Sequence, residues 1–157
     1  VTGNRFKPDE AKVPNEVDYG RLKSHVKANT ISINRKNTKE LVVISKYVHQ
    51  EYTNLFYPDL IWSLEVDEEV ADTKYVSYLL STPLMRQKVS SQSGGTSTSM
   101  PDISQKKYLG IELLLPSLNQ QRFLAERFDS IEKSIHIIFE KIASSQTLQK
   151  SLINQIF

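Results

Sequence analysis

Apolar residues change their spacing along this chain, and each change marks an element. Leu124, Phe128, Ile131, Ile135, Ile138 and Ile142 follow one another at alternating steps of four and three. That is the a/d spacing of a coiled-coil seam, which keeps one apolar stripe turned toward a partner helix. Carried forward, the pattern places Ser145 and Gln149 in the seam before Leu152 and Ile156 restore it, so the heptad is expected to slip or the helix to bend at 144–147. Pro116 closes the preceding segment, and Ser117-Leu118-Asn119-Gln120 has the S-x-x-Q form of a capping box. No Gly or Pro follows. The spacing therefore predicts a rod over 117–157, about 55–60 Å long at 1.5 Å per residue. Such a helix outruns a core built from 1–116, which argues for a spacer or dimerisation arm over a helix folded back on its own domain.

Upstream the period shortens. Thr30-Ile31-Ser32-Ile33-Asn34 alternates like a half-buried strand, and Leu41-Val42-Val43-Ile44 reads as a buried one. Between them Arg35-Lys36-Asn37-Thr38-Lys39 makes a loop with three cations: either a hairpin tip offered to phosphates or base edges or, as charge alone favours, an ordinary solvated turn. The aromatic-rich stretch 47–57 is expected to hold one or two short strands. Leu60, Trp62, Leu64 and Val66 alternate with Ile61, Ser63 and Glu65, a strand with Trp62 facing the core. After the acidic turn Asp67-Glu68-Glu69, one short helix starts near Asp72-Thr73 and buries Tyr75, Val76, Leu79 and Leu80. A second starts at Thr82-Pro83, with Thr as N-cap and Pro at N1, and runs to about Ser91. Ser93-Gly94-Gly95-Thr96-Ser97-Thr98-Ser99 is a polar loop, and 108–115 is expected to be a last buried strand cut off by Pro116. The class is α+β: a small mixed domain with an irregular sheet and short helices over 1–116, then a long coiled-coil helix over 117–157.

Composition narrows the function. The chain has no cysteine, hence no disulfide and no thiolate metal site, which suits the cytoplasm. No apolar run is long enough to span a membrane. The chain opens on Val1 without a signal-peptide pattern, as a trimmed chain would. The net charge of +2 names no partner, but 1–60 carry ten Lys/Arg against seven Asp/Glu, and 111–157 are balanced. An anion is therefore expected to meet the first sixty residues.

The catalytic patterns do not fit. His25, His49 and His136 are scattered, without metal-ligand spacing, so no metal is expected. Pro58-Asp59 and Pro101-Asp102 lack the Glu-x-Lys that a PD-(D/E)xK nuclease needs. Gly94-Gly95 follows a helix instead of opening one after a strand, and no Pro-Pro is present for an adenine methyltransferase. The expectation is a binding module, not an enzyme.

Several stretches together resemble one family. Ser93-Gly94-Gly95-Thr96, then Leu109-Gly110-Ile111-Glu112-Leu113-Leu114-Leu115-Pro116, Ser117-Leu118, Asn119-Gln120-Gln121 and the long helix resemble the target-recognition domain and conserved helix of type I restriction–modification specificity subunits. Ile31 to Val42 is similar to that family's Arg-x-Asn-Thr-x-x-Leu-Val stretch, and Tyr75-Val76-Ser77-Tyr78-Leu79-Leu80 looks like its helix ahead of the Gly-Ser/Thr loop. The close, from Leu148 to Phe157, resembles the end of its conserved helix. There are three departures: Gln120 where the family has Glu, Val43 where it commonly has Gly, and one domain and one helix where a whole subunit has two.

The resemblance implies a non-catalytic reader of one half of a split site in double-stranded DNA. Its helix would pair with the equivalent helix, from a second copy or a missing second half. Methyltransferase subunits would dock on it and bring S-adenosylmethionine, so no cofactor is expected on this chain. DNA contacts are then expected from Arg35, Lys36, Asn37, Thr38, Lys39, Gly94, Gly95, Thr96 and Ser97. Helix contacts are expected from Leu124, Phe128, Ile131, Ile135, Ile138, Ile142, Leu152 and Ile156. Two other readings stay open: a homodimeric coiled-coil adaptor that binds no DNA, and a recognition piece of a larger fused methyltransferase or nuclease.

Overall fold

A computed structural model describes residues 6, 8, 11–22, 24–35, 44–92 and 102–156. The class is α+β, with five strands in two antiparallel sheets among the described residues, short helices and one long helix. After a 3-10 turn at Glu16–Arg21, β1 (His25–Val26) pairs with β4 (Tyr52–Phe56), with a register shift between its two residues. The second sheet has the order β3-β2-β5, with β2 at Thr30–Asn34, β3 at Ser45–Val48 and β5 at Ile61–Leu64.

Central β2 departs from the half-buried alternation its sequence predicts: all five residues are buried. Ile31 and Ile33 enter the core beside Val76, Leu80, Met85, Val89, Ile103 and Tyr108. The polar residues of the other face are also covered, and backbone carbonyls satisfy two of them. Thr30 Oγ1 donates to Lys27 (2.9 Å) and Ser32 Oγ to Lys46 (3.3 Å). A hydroxyl with a partner can be buried at little cost, so alternation of residue type does not here mean alternation of exposure.

Of the return strand expected over 41–44, residues 41–43 lie outside the described residues; Ile44 is buried, and β3 begins one residue after it. Its register places Ser45 opposite Ile33 and Val48 opposite Thr30. β5 matches its expectation more closely: Trp62 and Leu64, with Val66 just past its end, pack on the core, while Leu60 is exposed.

Two helices cover the sheet where their caps predict. Asp72 accepts from the Tyr75 N–H at 2.8 Å and starts α1 (Thr73–Ser81). Val76 and Leu80 of α1 are buried, Tyr75 and Leu79 are half-buried, and Thr73 and Ser77 are buried with them. Thr82 Oγ1 accepts from the Met85 N–H at 3.3 Å and starts α2 (Pro83–Gln92).

The strand expected over 108–115 is not formed. Ser104 caps a short helix, α3 (Gln105–Leu109), that carries Tyr108 into the core against Trp62, with ring centroids 5.9 Å apart. Beyond it Ile111, Leu113 and Leu115 pack inward, while Glu112 and Leu114 face out. The alternation is that of a strand, but no neighbouring strand pairs with this stretch in either described sheet. Apolar patterning reports which side faces the core; a strand also needs a ladder partner.

Helix α4 (Leu118–Ile156) runs unbroken through 144–147, where a slip or bend is expected, and Thr147 Oγ1 donates back to the Ala143 carbonyl at 3.0 Å. Its start follows the capping box in part. Gln120 Oε1 accepts from the Ser117 N–H (3.1 Å), and Ser117 Oγ donates to the same oxygen (2.9 Å).

Candidate nucleic-acid interface

Described residues that flank the two segments nominated by the sequence meet at one end of a sheet. β2 ends at Asn34, whose N–H donates to the Ile44 carbonyl at 3.1 Å, so both ends of the segment 36–43 are tied together. Arg35 then bridges three elements. Its N–H donates to Leu60 at 3.0 Å, just before β5, and its carbonyl accepts from the Ile103 N–H at 3.4 Å. Residue 103 follows closely on the segment 93–101, whose other flank is held where Lys107 Nζ donates to the Gln92 carbonyl at 3.2 Å. Both flanks of 36–43 and the C-terminal flank of 93–101 therefore meet at the end of the sheet where β2 finishes and β5 starts.

Of the nine candidate DNA contacts, Arg35 lies among the described residues; Lys36, Asn37, Thr38, Lys39, Gly94, Gly95, Thr96 and Ser97 lie outside them. The Arg35 guanidinium stands over the Trp62 ring at 5.9 Å, and its Nη2 is 4.0 Å from Asp102 Oδ2. Arg35 Nε and Asp102 Oδ1 are both out of solvent without a hydrogen-bond partner. In the sequence Asp102 stands out only beside Pro101, in an incomplete nuclease pattern, and Trp62 only as a core position. The sequence carried no signal that these residues meet Arg35.

A second polar cluster fixes the rod to the domain. Gln121, 1% exposed, accepts from the Asp72 N–H (3.0 Å) and donates to the Pro116 carbonyl (2.9 Å), joining the start of α4 to the start of α1. One turn on, Ala125 is buried. Asp129 accepts from Lys74 Nζ (2.6 Å) and from the Tyr78 hydroxyl (2.8 Å), which also reaches Glu132 (3.1 Å). Phe128 meets the Tyr78 ring edge-on at 5.2 Å. Burial pushes the Asp129 carboxyl up, but the hydrogen bonds from Lys74 and Tyr78 outweigh it and hold the group below its ordinary value. Burial and the bond to Asp129 keep the Tyr78 phenol well above its own. A cavity of about 370 Å³ adjoins this joint and is lined by Lys46, His49, Lys74, Tyr78, Asp129 and Glu132 among others. Lys74, Tyr78, Asp129 and Glu132 bind one another there, so the lining is chiefly a joint between helices.

The docking face of α4 is not its apolar stripe. At about 100° per residue, Gln121, Ala125, Asp129 and Glu132 lie roughly a quarter-turn from the row of Leu124, Ile131, Ile135 and Ile138. Leu124 is half-buried and Phe128 sits at the edge between the two faces, while Ile131, Ile135, Ile138, Ile142 and Leu152 are exposed. The side chain of Ile156 lies outside the described residues.

Among the described residues no group of His, Cys, Asp and Glu could hold a metal ion, and no helix is long and apolar enough to cross a membrane. A scan against protein-family models gives no match, and neither does a search of curated proteins.

Proposed function

We propose that this chain is a DNA-reading specificity subunit, or half of one, of a type I restriction–modification system in the cytoplasm. Its domain reads one half of a split site in double-stranded DNA. Its rod, α4, pairs with an equivalent helix and docks methyltransferase subunits, which bring S-adenosylmethionine and do the chemistry. The observation that carries the reading is the convergence of the two loop roots at Asn34, Arg35, Ile44 and Ile103. A reader of base edges needs its contact loops side by side on a rigid support, and the sheet end supplies one. The exposed stripe on α4 supports the second half of the reading, because a rod that pairs through one face and holds its domain by another fixes the distance between two readers. With two identical copies the two-fold axis makes the site a split palindrome.

The test is selection from a random-sequence DNA duplex library, followed by affinity measurements across salt concentrations. The expected result is an enriched split motif, with log affinity falling linearly against log salt as phosphate counterions are released. A dimer that binds no duplex at about 50 mM salt would leave the protein-only adaptor reading in its place.

A further inference from the structure

We infer that Asp102 is a positioning residue that holds the Arg35 guanidinium for a two-bond contact to guanine. The inference rests on the DNA-reading function proposed above and adds the residue that sets one base preference. Both residues hold unused hydrogen-bonding capacity. Arg35 Nε and Asp102 Oδ1 are buried without partners, and the neighbouring Nη2 and Oδ2 stand 4.0 Å apart. Closing this gap by about 1 Å brings it to charge-assisted hydrogen-bond length, with Nε against Oδ1 and Nη2 against Oδ2 as the side-on fork of an arginine–carboxylate pair. The backbone already holds the two residues together, through the bond from the Ile103 N–H to the Arg35 carbonyl. Trp62 lies under the guanidinium and limits its swing.

The geometry also selects the ligand. Side-on pairing with Asp102 uses Nε–H and one N–H of Nη2. The end-on edge keeps one N–H on each terminal nitrogen, pointing the same way, and guanine offers O6 and N7 as a matching pair of acceptors in the major groove. Arg35 remains about a third exposed and stands at the loop roots, so that edge can be reached from outside. A phosphate would accept the same fork, but it would carry no base preference, and the experiment separates the two.

The experiment is library selection with the parent, Asp102→Asn, Asp102→Ala and Arg35→Lys, each checked for an unchanged far-UV spectrum and melting temperature. Arg35→Lys keeps the charge and loses the fork. The parent is expected to select a guanine at one position of the half-site. All three variants should lose about tenfold or more of the discrimination there, with the other positions intact, since a good two-bond base contact is worth that much. Joining Arg35→Lys to Asp102→Ala should relax that position no further. A general loss of affinity with unchanged base preferences would mean a phosphate or structural role and overturn the inference. Relaxation at different positions by the Arg35 and Asp102 variants would overturn it too. If the parent enriches nothing, the DNA-reading function itself fails, and that is seen before any variant is made.

Discussion

The turns of α4 over 118–132 and those over 133–156 form one continuous helix but relate to the rest of the chain in opposite ways. The first part is docked, with the buried Gln121 amide, the Asp129 carboxylate and the Tyr78 hydroxyl bonded across the joint beside buried Ala125. The second part carries Ile135, Ile137, Ile138, Phe139 and Ile142, all large, apolar and exposed. Large apolar residues are about equally frequent in the two parts, five of fifteen against nine of twenty-four, so apolar content does not decide which part attaches. Hydrogen-bonded side chains mark the attached part, and the stripe beyond it is exposed on the single chain.

The largest expected effect breaks this contrast at the stripe. Each of its isoleucines is worth roughly 1.5–3 kcal/mol on full burial, and a buried carboxylate costs several kcal/mol more. Sedimentation equilibrium is therefore expected to find the parent at about twice 18.0 kDa, and Ile131→Asp with Ile138→Asp at the single-chain mass. Both side chains are exposed on the single chain, so the domain should keep its spectrum in the variant. A parent that stays monomeric at micromolar concentration would remove the pairing half of the proposed function.

A smaller effect sharpens the contrast from the docked side. Gln121→Ala strands the Asp72 N–H and the Pro116 carbonyl, and is expected to cost roughly 2–3 kcal/mol in urea unfolding. Gln149→Ala, the same change at an exposed position on the far part, should cost less than about 0.5 kcal/mol. Equal losses would mean that the attachment does not run through Gln121.

How much of this could be read in the sequence depends on the distance over which each feature is determined. Local features were legible. The Asp72 and Thr82 caps start their helices as expected, because a cap is decided within three residues. The length of the rod was legible for the same reason: a good start and no breaker. Features decided by distant partners were not. Ile111, Leu113 and Leu115 alternate like a strand and lack only a neighbour, which no local pattern encodes. Burial of Ser32 depends on a carbonyl across the sheet. Gln121 reads as the fourth residue of a helix start, and its burial against Asp72 depends on a residue 49 positions away. The candidate interface divides likewise. Arg35 could be nominated from its loop, but Trp62 and Asp102 join it only through the fold.

The smallest effect tests whether charge holds the docked turns. The Asp129 carboxyl lies below its ordinary 3.8, since the bonds from Lys74 and Tyr78 outweigh burial. Its stabilisation is therefore complete above pH 3.8 and is lost as pH falls through the lower folded value. For Lys74 burial lowers the pKa, but the bond and attraction to Asp129 outweigh it and raise the ammonium above its ordinary 10.5. Its contribution is complete below pH 10.5 and is lost as pH rises through the folded value. The two windows overlap from about pH 4 to 10, where the joint should be at full strength. Lys74→Met is expected to lower stability by about 1–2 kcal/mol across that range, since both partners are less than a third exposed. The deficit relative to the parent should shrink below pH 3.8, as protonation of Asp129 breaks the pair in the parent as well. Glu140→Gln breaks the more exposed His136–Glu140 pair on the far part, and should shift stability by less at neutral pH. Urea titrations of the three proteins between pH 2.5 and pH 9 make the comparison. A Lys74→Met deficit that is undiminished at the acid end would mean that the loss comes from the contact of Lys74 Nζ with the Tyr47 ring of β3, 5.4 Å from its centroid, and not from the ion pair to the rod.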